Sequence, residues 1–341
     1  MNFSNQLINW YLENKRDLPW RNTTNSYHIW LSEIMLQQTR VAQGLPYFEA
    51  FVSCFPTVFD LANASEEQVL KLWQGLGYYS RARNLHQTAQ IIAYQKDGVF
   101  PDNYNDLLKL KGIGTYTAAA IASFANQEMV PVVDGNVFRV LSRYFNIEDD
   151  IAVFSTKKIF WDLALSLIPK GNSAEFNQAI MEFGALQCVP KNPNCNSCIF
   201  KNSCGALQHK KVHQLPVKIK KISIKNRFLN YLFFIDPKNQ TKIQKRTEKG
   251  IWQNLYEFPL IETEKSENID FIVDELKSEN KIISIKERNT DDIIHKLTHQ
   301  KLHIKFWEIM IEDEIEDGID LKKIKSFPFP IVIFNFIEQI L

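Results

Sequence analysis

Between residues 26 and 52 apolar positions recur every three or four residues, and Pro56 follows closely, which predicts one long helix with Glu33 inside it. The same period predicts helices over 66–73, 81–94, 104–110, 116–125, 137–144, 157–168 and 174–186. The first two-thirds of the chain therefore reads as all-helical. After Cys204 the pattern changes: residues 209–221 carry several lysines and a proline but no acidic residue, the composition of an inter-domain linker. Beyond it, 228–235, 241–245, 281–286 and 302–311 are rich in β-branched and aromatic residues and read as strands, with a helix over 268–276. The expected organisation is a helical domain at 1–207, a linker at 208–225 and an α+β domain at 226–341. No internal repeat and no low-complexity segment interrupts it.

A length of 341 residues exceeds the usual size of one hydrophobic core, in keeping with two domains. With 45% hydrophobic and 23% charged residues, a disordered or fibrous chain is excluded. The first ten residues lack a basic region followed by an apolar stretch, and no run of about 18 apolar residues occurs, so a soluble, cytoplasmic protein without a membrane partner is expected. Because the net charge is only +1, attraction to nucleic acid would have to come from local features.

Four of the five cysteines, Cys188, Cys195, Cys198 and Cys204, are separated by six, two and five residues. In a reducing compartment such a group points to metal rather than disulfides, and the residues alone leave zinc and an iron-sulfur cluster both open. The fifth, Cys54 in Phe51-Val52-Ser53-Cys54-Phe55, reads as a core residue.

Leu110-Lys111-Gly112-Ile113-Gly114-Thr115-Tyr116 places two glycines in a tight turn before a helix start. Glycine lets a partner approach the backbone, and the free amides and positive dipole end of the following helix suit a DNA phosphate without any basic side chain. A plain helix connection is the alternative for a lone Gly-x-Gly.

Two carboxylates stand in contrasting surroundings. Glu33 has Ile29, Trp30, Leu36 and Gln37 as its helical neighbours, a mostly uncharged face that favours the protonated acid. Asp134, in Val132-Val133-Asp134-Gly135-Asn136, precedes a helix whose amides and dipole favour the carboxylate. Carboxyl groups whose environments push their pKa values apart are the usual means of cleaving a glycosidic bond. The plainer alternatives are a simple N-cap at Asp134 and a buried Glu33 paired with Arg21 or Arg40.

Taken together, Ser32-Glu33-Ile34-Met35-Leu36-Gln37-Gln38-Thr39, the Gly112-Ile113-Gly114 turn, Val132-Val133-Asp134-Gly135-Asn136 and the cysteine loop resemble the helix-hairpin-helix glycosylases of the endonuclease III superfamily. Within it the resemblance is to the adenine DNA glycosylases. It implies a multidomain fold: an all-α glycosylase domain with a [4Fe-4S] loop on Cys188, Cys195, Cys198 and Cys204, followed by an α+β Nudix-like domain. It also implies a substrate, double-stranded DNA with adenine opposite 8-oxoguanine or guanine, and a nucleoid-associated monomer. Glu33 would protonate the base and Asp134 stabilise an oxocarbenium-like sugar, supported by Tyr116 and Asn136. The flipped adenine would meet Trp20, Arg21, Leu36 and Gln178, the last being the position where relatives also carry glutamate. Gln38 and Tyr78 would wedge into the gap, Thr39 would contact the opposing lesion, and Gly112 and Gly114 would hold the DNA backbone. For Tyr78 and Tyr79 core packing is the alternative, with more force at Tyr79.

Lyase members of the superfamily carry a lysine after the hairpin, where it forms an imine with the sugar, and Tyr116 cannot do so. A monofunctional glycosylase is expected. Downstream, Gly250-Ile251-Trp252-Gln253-Asn254-Leu255-Tyr256-Glu257-Phe258-Pro259 resembles the Nudix-like domain, but the residues after Glu257 lack paired glutamates for magnesium, which leaves recognition. Leu297-Thr298-His299 resembles the family's lesion-reading Phe-Ser-His loop with two substitutions. Three competing readings remain: a lyase acting on damaged pyrimidines, a DNA-docking or redox module without chemistry, and a nucleotide pyrophosphatase.

Overall fold

The computed structural model describes residues 2–219, 224–277 and 281–341. It divides into two compact units, Met1–Asn63 with Asn84–Lys220, and Ala64–Arg83 with Lys221–Leu341. The division follows contacts, and residues 64–83 fall with the second unit although the expected boundary lay at 208–225. Of that expected linker, residues 220–223 lie outside the described residues. Its earlier part packs on the helical unit, where Val212 and Leu215 are buried with Ala206 beside Cys195 and Cys204.

The helical unit is built around Thr115–Asn126, whose Ala118, Ala119, Ala120, Ile121 and Ala122 are all fully buried. Small side chains let neighbouring helices close in on this one from all sides, which is why it shows no polar stripe. It packs on Ser26–Met35 and on Ser173–Leu186. A second cluster joins Phe3, Leu7, Val137, Leu141, Phe160, Phe176 and Phe183 and extends to Cys188, Cys198 and Cys204. Helices at Phe3–Asn14 and Val58–Asn63 supplement those expected.

The single helix expected over 26–52 is two, Ser26–Met35 and Val41–Cys54. Apolar periodicity runs through the break, but Gln38 adopts a φ of 57°, a left-handed conformation that ends the α-helix. Cys54, expected in the core, is exposed at the end of the second helix, where the chain turns away.

In the second unit, strand Lys225–Ile235 runs parallel to Gln300–Ile311 and antiparallel to Leu260–Thr263. On its other side Gln300–Ile311 pairs antiparallel with Ile282–Glu287 and Ile293–Lys296. Both central strands are covered on both faces. Phe306 stacks on Phe336 of helix Ile331–Ile340 at 4.0 Å, while Leu232, Phe234, Trp307 and Ile309 cover Ile272 and Leu276. This explains the continuous apolar run in the first strand where a half-exposed strand would alternate. The strand expected over 241–245 is two short pairs, Gln240–Thr241 and Gln244–Lys245. Segment 64–83 joins this unit through Asn254 Nδ2 to Glu66 Oε1 (2.6 Å), Lys71 Nζ to the Phe327 carbonyl (3.2 Å) and Arg83 Nη1 to the Gln253 carbonyl (2.8 Å). Among the described residues no helix is long and apolar enough to cross a membrane.

Candidate active site

Asn25 caps helix Ser26–Met35 by accepting from the Tyr27 amide at 2.8 Å, and Glu33 falls in its last turn, 5% exposed. Tyr116 enters from the first turn of Thr115–Asn126 and hydrogen-bonds the Glu33 carboxyl. Burial drives Glu33 up to about 7; the Tyr116 bond opposes this, and the nearby Asp134 adds to it. The acid thus keeps a substantial protonated fraction at neutral pH, where an ordinary glutamate is ionised, in the direction its uncharged helix face predicts.

Asp134 is the N-cap of helix Gly135–Phe145. Its Oδ1 accepts from the Asn136 and Val137 amides, each at 2.8 Å, and its Oδ2 from Asn136 Nδ2 at 2.7 Å. Burial nevertheless raises its pKa above the usual aspartate value, with the amides of Val137 and Asn136 offsetting part of the rise. The helix cap is legible in the local sequence, whereas the depth of the site is not. Asn136 is fixed in turn by Arg139, whose Nη2 donates to Asn136 Oδ1 (2.8 Å) and the Gly184 carbonyl (2.7 Å), while its Nε donates to the Cys188 carbonyl at 2.7 Å. At Gly184 any Cβ would stand 2.6 Å from the Asn136 Cβ, so only glycine allows these helices to cross here.

Glu33, Asp134, Tyr116 and Asn136 line one cavity with Trp20, Arg21, Leu36, Thr39 and Gln178. Trp20 is 7% exposed and packs edge-on to Phe48 at 5.1 Å, so it serves cavity and core together.

Arg21 does not pair with Glu33, the alternative drawn from sequence. It forms a two-pronged ion pair with Glu182 at 2.8 and 2.7 Å, and Arg16 Nε donates to the same carboxylate at 2.8 Å. Glu182 was missed from sequence, although it lies one helical turn beyond Gln178 on the same face. Burial alone would raise its pKa, but the bonds from Arg21 and Arg16 prevail and hold it at about 2. Glu182→Gln leaves two guanidinium groups without their counter-charge, and a urea titration is expected to show a loss of about 3–5 kcal/mol. Because the folded pKa is depressed, this contribution is present above the unfolded glutamate value of about 4.3 and fades as pH falls towards 2.

The hairpin runs from Tyr104–Leu107 through Gly112, at φ 76°, to Gly114, the N-cap of Thr115–Asn126. A Cβ on Gly112 would meet Asn84 Cβ at 2.7 Å, whereas one on Gly114 would meet nothing within 4 Å. Gly114 offers no side-chain cap to the first-turn amides. Gln38 and Thr39 lie in the break that follows Glu33.

Cys188, Cys195, Cys198 and Cys204 line a single small cavity with an apolar wall. Among the described residues no His, Cys, Asp and Glu side chains form a closed metal cage. The surroundings nonetheless suit a thiolate-bound group. Burial lifts the Cys198 thiol to about 11, the Phe200 amide approaches its sulfur at 3.4 Å, and Arg143 Nη1 donates to Cys188 Sγ at 3.4 Å. Such thiols deprotonate when a cation replaces their protons, and the donors then meet sulfur charge.

In the second unit Leu297, Thr298 and His299 form the turn between strands Ile293–Lys296 and Gln300–Ile311, closed by the Leu297 amide to the Gln300 carbonyl at 2.8 Å. Tyr78 is 48% exposed with φ 51°, and its hydroxyl lies 2.8 Å from Thr298 Oγ1. Tyr79, by contrast, is buried. All five residues line one cleft with Trp252 and His295. Glu257 is tied up by Arg246 Nη1 at 2.5 Å and Tyr231 at 3.3 Å.

An acid with a raised pKa and a capped, buried carboxyl lining one cavity, beside a glycine hairpin, define a helix-hairpin-helix DNA glycosylase. Residues 31–164 match the HhH-GPD superfamily base excision DNA repair protein, and residues 230–339 match the NUDIX domain. Adenine DNA glycosylase of Buchnera aphidicola subsp. Schizaphis graminum is 40% identical over 304 residues, 89% of this chain and 86% of that protein. The human adenine DNA glycosylase is 41% identical over 222 residues, 62% of this chain and 41% of that protein. A solved thermostable thymine-DNA glycosylase superposes with TM-score 0.56 and 28% identity, covering 61% of this chain and 95% of that one. The chain belongs to the adenine DNA glycosylase family.

Proposed function

We propose that the protein hydrolyses the N-glycosidic bond of adenine opposite 8-oxoguanine, or opposite guanine, in double-stranded DNA, acting as a monofunctional glycosylase. The observation that carries this is Glu33 and Asp134 in one cavity, with Tyr116 where a lyase would hold its amine. Hairpin amides behind Gly112 and Gly114 take a backbone phosphate, Gln38 and Tyr78 fill the gap left by the flipped nucleotide, and Thr39 faces the lesion. In the cavity Trp20, Arg21, Leu36 and Gln178 enclose the base. Glu33 gives its proton to the departing adenine and then assists water, while Asp134, oriented by Asn136, faces the developing positive sugar.

The four cysteines suit a [4Fe-4S] cluster, which when bound supplies a rigid charged scaffold for the 188–204 loop. In this reading residues 1–207 carry catalysis, 208–225 link, and 226–341 read the lesion. The test is base release from duplexes with A:8-oxoguanine, A:G and A:C pairs, with borohydride present in a parallel reaction. Release from the first two without covalent trapping is expected. Strong trapping, or pyrophosphate release from an oxidised nucleoside triphosphate, overturns the reading.

Thr298, within hydrogen-bond distance of Tyr78, holds its hydroxyl at the cleft for the oxidised purine's polar edge. Converting Thr298 and His299 together to alanine is expected to lower the preference for 8-oxoguanine over guanine by about tenfold, roughly one or two hydrogen bonds, in competition binding. Unchanged discrimination moves the reading of the lesion elsewhere.

A further inference from the structure

Gln178 faces the cavity from helix Ser173–Leu186, and its side chain is held from behind. Tyr11, on helix Phe3–Asn14 and 2% exposed, donates its hydroxyl to Gln178 Oε1 at 2.5 Å. A primary amide is planar and two-sided, with an acceptor on one branch and two N–H donors on the other. With Oε1 committed to Tyr11, the branch left for the cavity is Nε2.

We infer that Tyr11 is a positioning residue that fixes Gln178 as a hydrogen-bond donor, so that the base is read there through a ring nitrogen and not through its exocyclic amine. The inference deepens the proposed adenine-excision activity and rests on it. An amide that can rotate presents either face and discriminates poorly; one locked by a buried phenol rejects an edge that offers only N–H. The phenol is well suited to the task. It is enclosed in the helical core, burial favours its protonated form, and the Arg21 guanidinium sits 5.7 Å from its ring centre while itself clamped on Glu182. The lock is thus anchored to the same rigid group that borders the cavity. A glutamate at 178 would keep the Tyr11 bond but offer the base acceptors only, which reverses the recognition.

The test measures single-turnover base release from full-length protein on duplexes carrying adenine, 1-deazaadenine, 3-deazaadenine or purine opposite 8-oxoguanine. In the unsubstituted protein one of the two deaza changes should cost about tenfold more than in acid hydrolysis of the free nucleosides, the size of one net hydrogen bond, and removal of the 6-amino group should cost nothing comparable. In Tyr11→Phe, and independently in Gln178→Glu, that deaza penalty should collapse to within about twofold. An unchanged deaza profile, or a Tyr11→Phe effect of equal size on every base, makes Tyr11 merely structural and overturns the inference. A wild-type penalty for losing the 6-amino group in place of a ring nitrogen overturns it too. Should Tyr11→Phe fold poorly, the wild-type and Gln178→Glu profiles still decide whether Gln178 is the donor, and a wild type without an excess deaza penalty overturns the inference. Failure of the unsubstituted protein to release adenine at all would instead count against the proposed activity.

Discussion

Glu33→Gln should bind an A:8-oxoguanine duplex normally yet release adenine about 10²–10⁴-fold more slowly, the range a positioned general acid supplies. Glutamine preserves the shape and the bond to Tyr116 but has no proton of suitable acidity to give. The pH profile of the wild type supplies an independent check. Burial, together with Asp134, lifts Glu33 to about 7 against the Tyr116 bond, so the proton donor is present below that value. Base release should therefore hold level on the acid side of neutrality and fall as pH rises through about 7, and Glu33→Gln should lose this dependence. Linkage runs the same way: with a raised folded pKa, Glu33's contribution to stability is complete below the unfolded value and is lost as pH rises through the folded one. A rate that climbs with pH in single-turnover assays would show that position 33 works only as a base.

Asp134→Asn should be comparably damaging, by about 10²–10³-fold, because a preorganised charge facing a developing cation is worth several kcal/mol in a water-poor site. The substitution separates two roles of the carboxylate. Asparagine retains an oxygen for the Asn136 and Val137 amides, so the helix cap persists, but its own Nδ2 replaces the oxygen that accepts from Asn136 Nδ2, and the melting temperature should fall only by the worth of that one bond. A variant that keeps its stability and binding but not its chemistry places the effect on charge. If it unfolded as readily as it lost activity, capping would be the aspartate's main contribution.

Much of this site was legible because its residues are local signals. The Gly112 turn, the Asp134 cap and the cysteine spacing each announce themselves within a few positions. The helix break at residues 36–40 was not legible, since the apolar pattern passes through it and only the positive φ of Gln38 interrupts the backbone. Glu182 and Tyr11 escaped for another reason: their partners lie 161 to 167 residues away, and nothing in either local sequence marks a carboxylate that binds two arginines or a phenol that orients an amide. Cys54 misled because an apolar neighbourhood in sequence ended at an exposed helix terminus. In the second unit the strands were clear, but the recruitment of residues 64–83 was invisible, because a short amphipathic helix does not declare which surface it will cover.

Helix Thr115–Asn126 joins two tasks over a single turn, with uncapped amides at its start and Tyr116, the partner of Glu33, as its second residue. At 1.5 Å of rise per residue, the Gly114 turn and the Tyr116 backbone stand a fixed few ångströms apart along the helix axis. In the proposed activity the helix would act as a ruler: a duplex seated one nucleotide out of step would bring the wrong sugar to the carboxyl that Tyr116 holds.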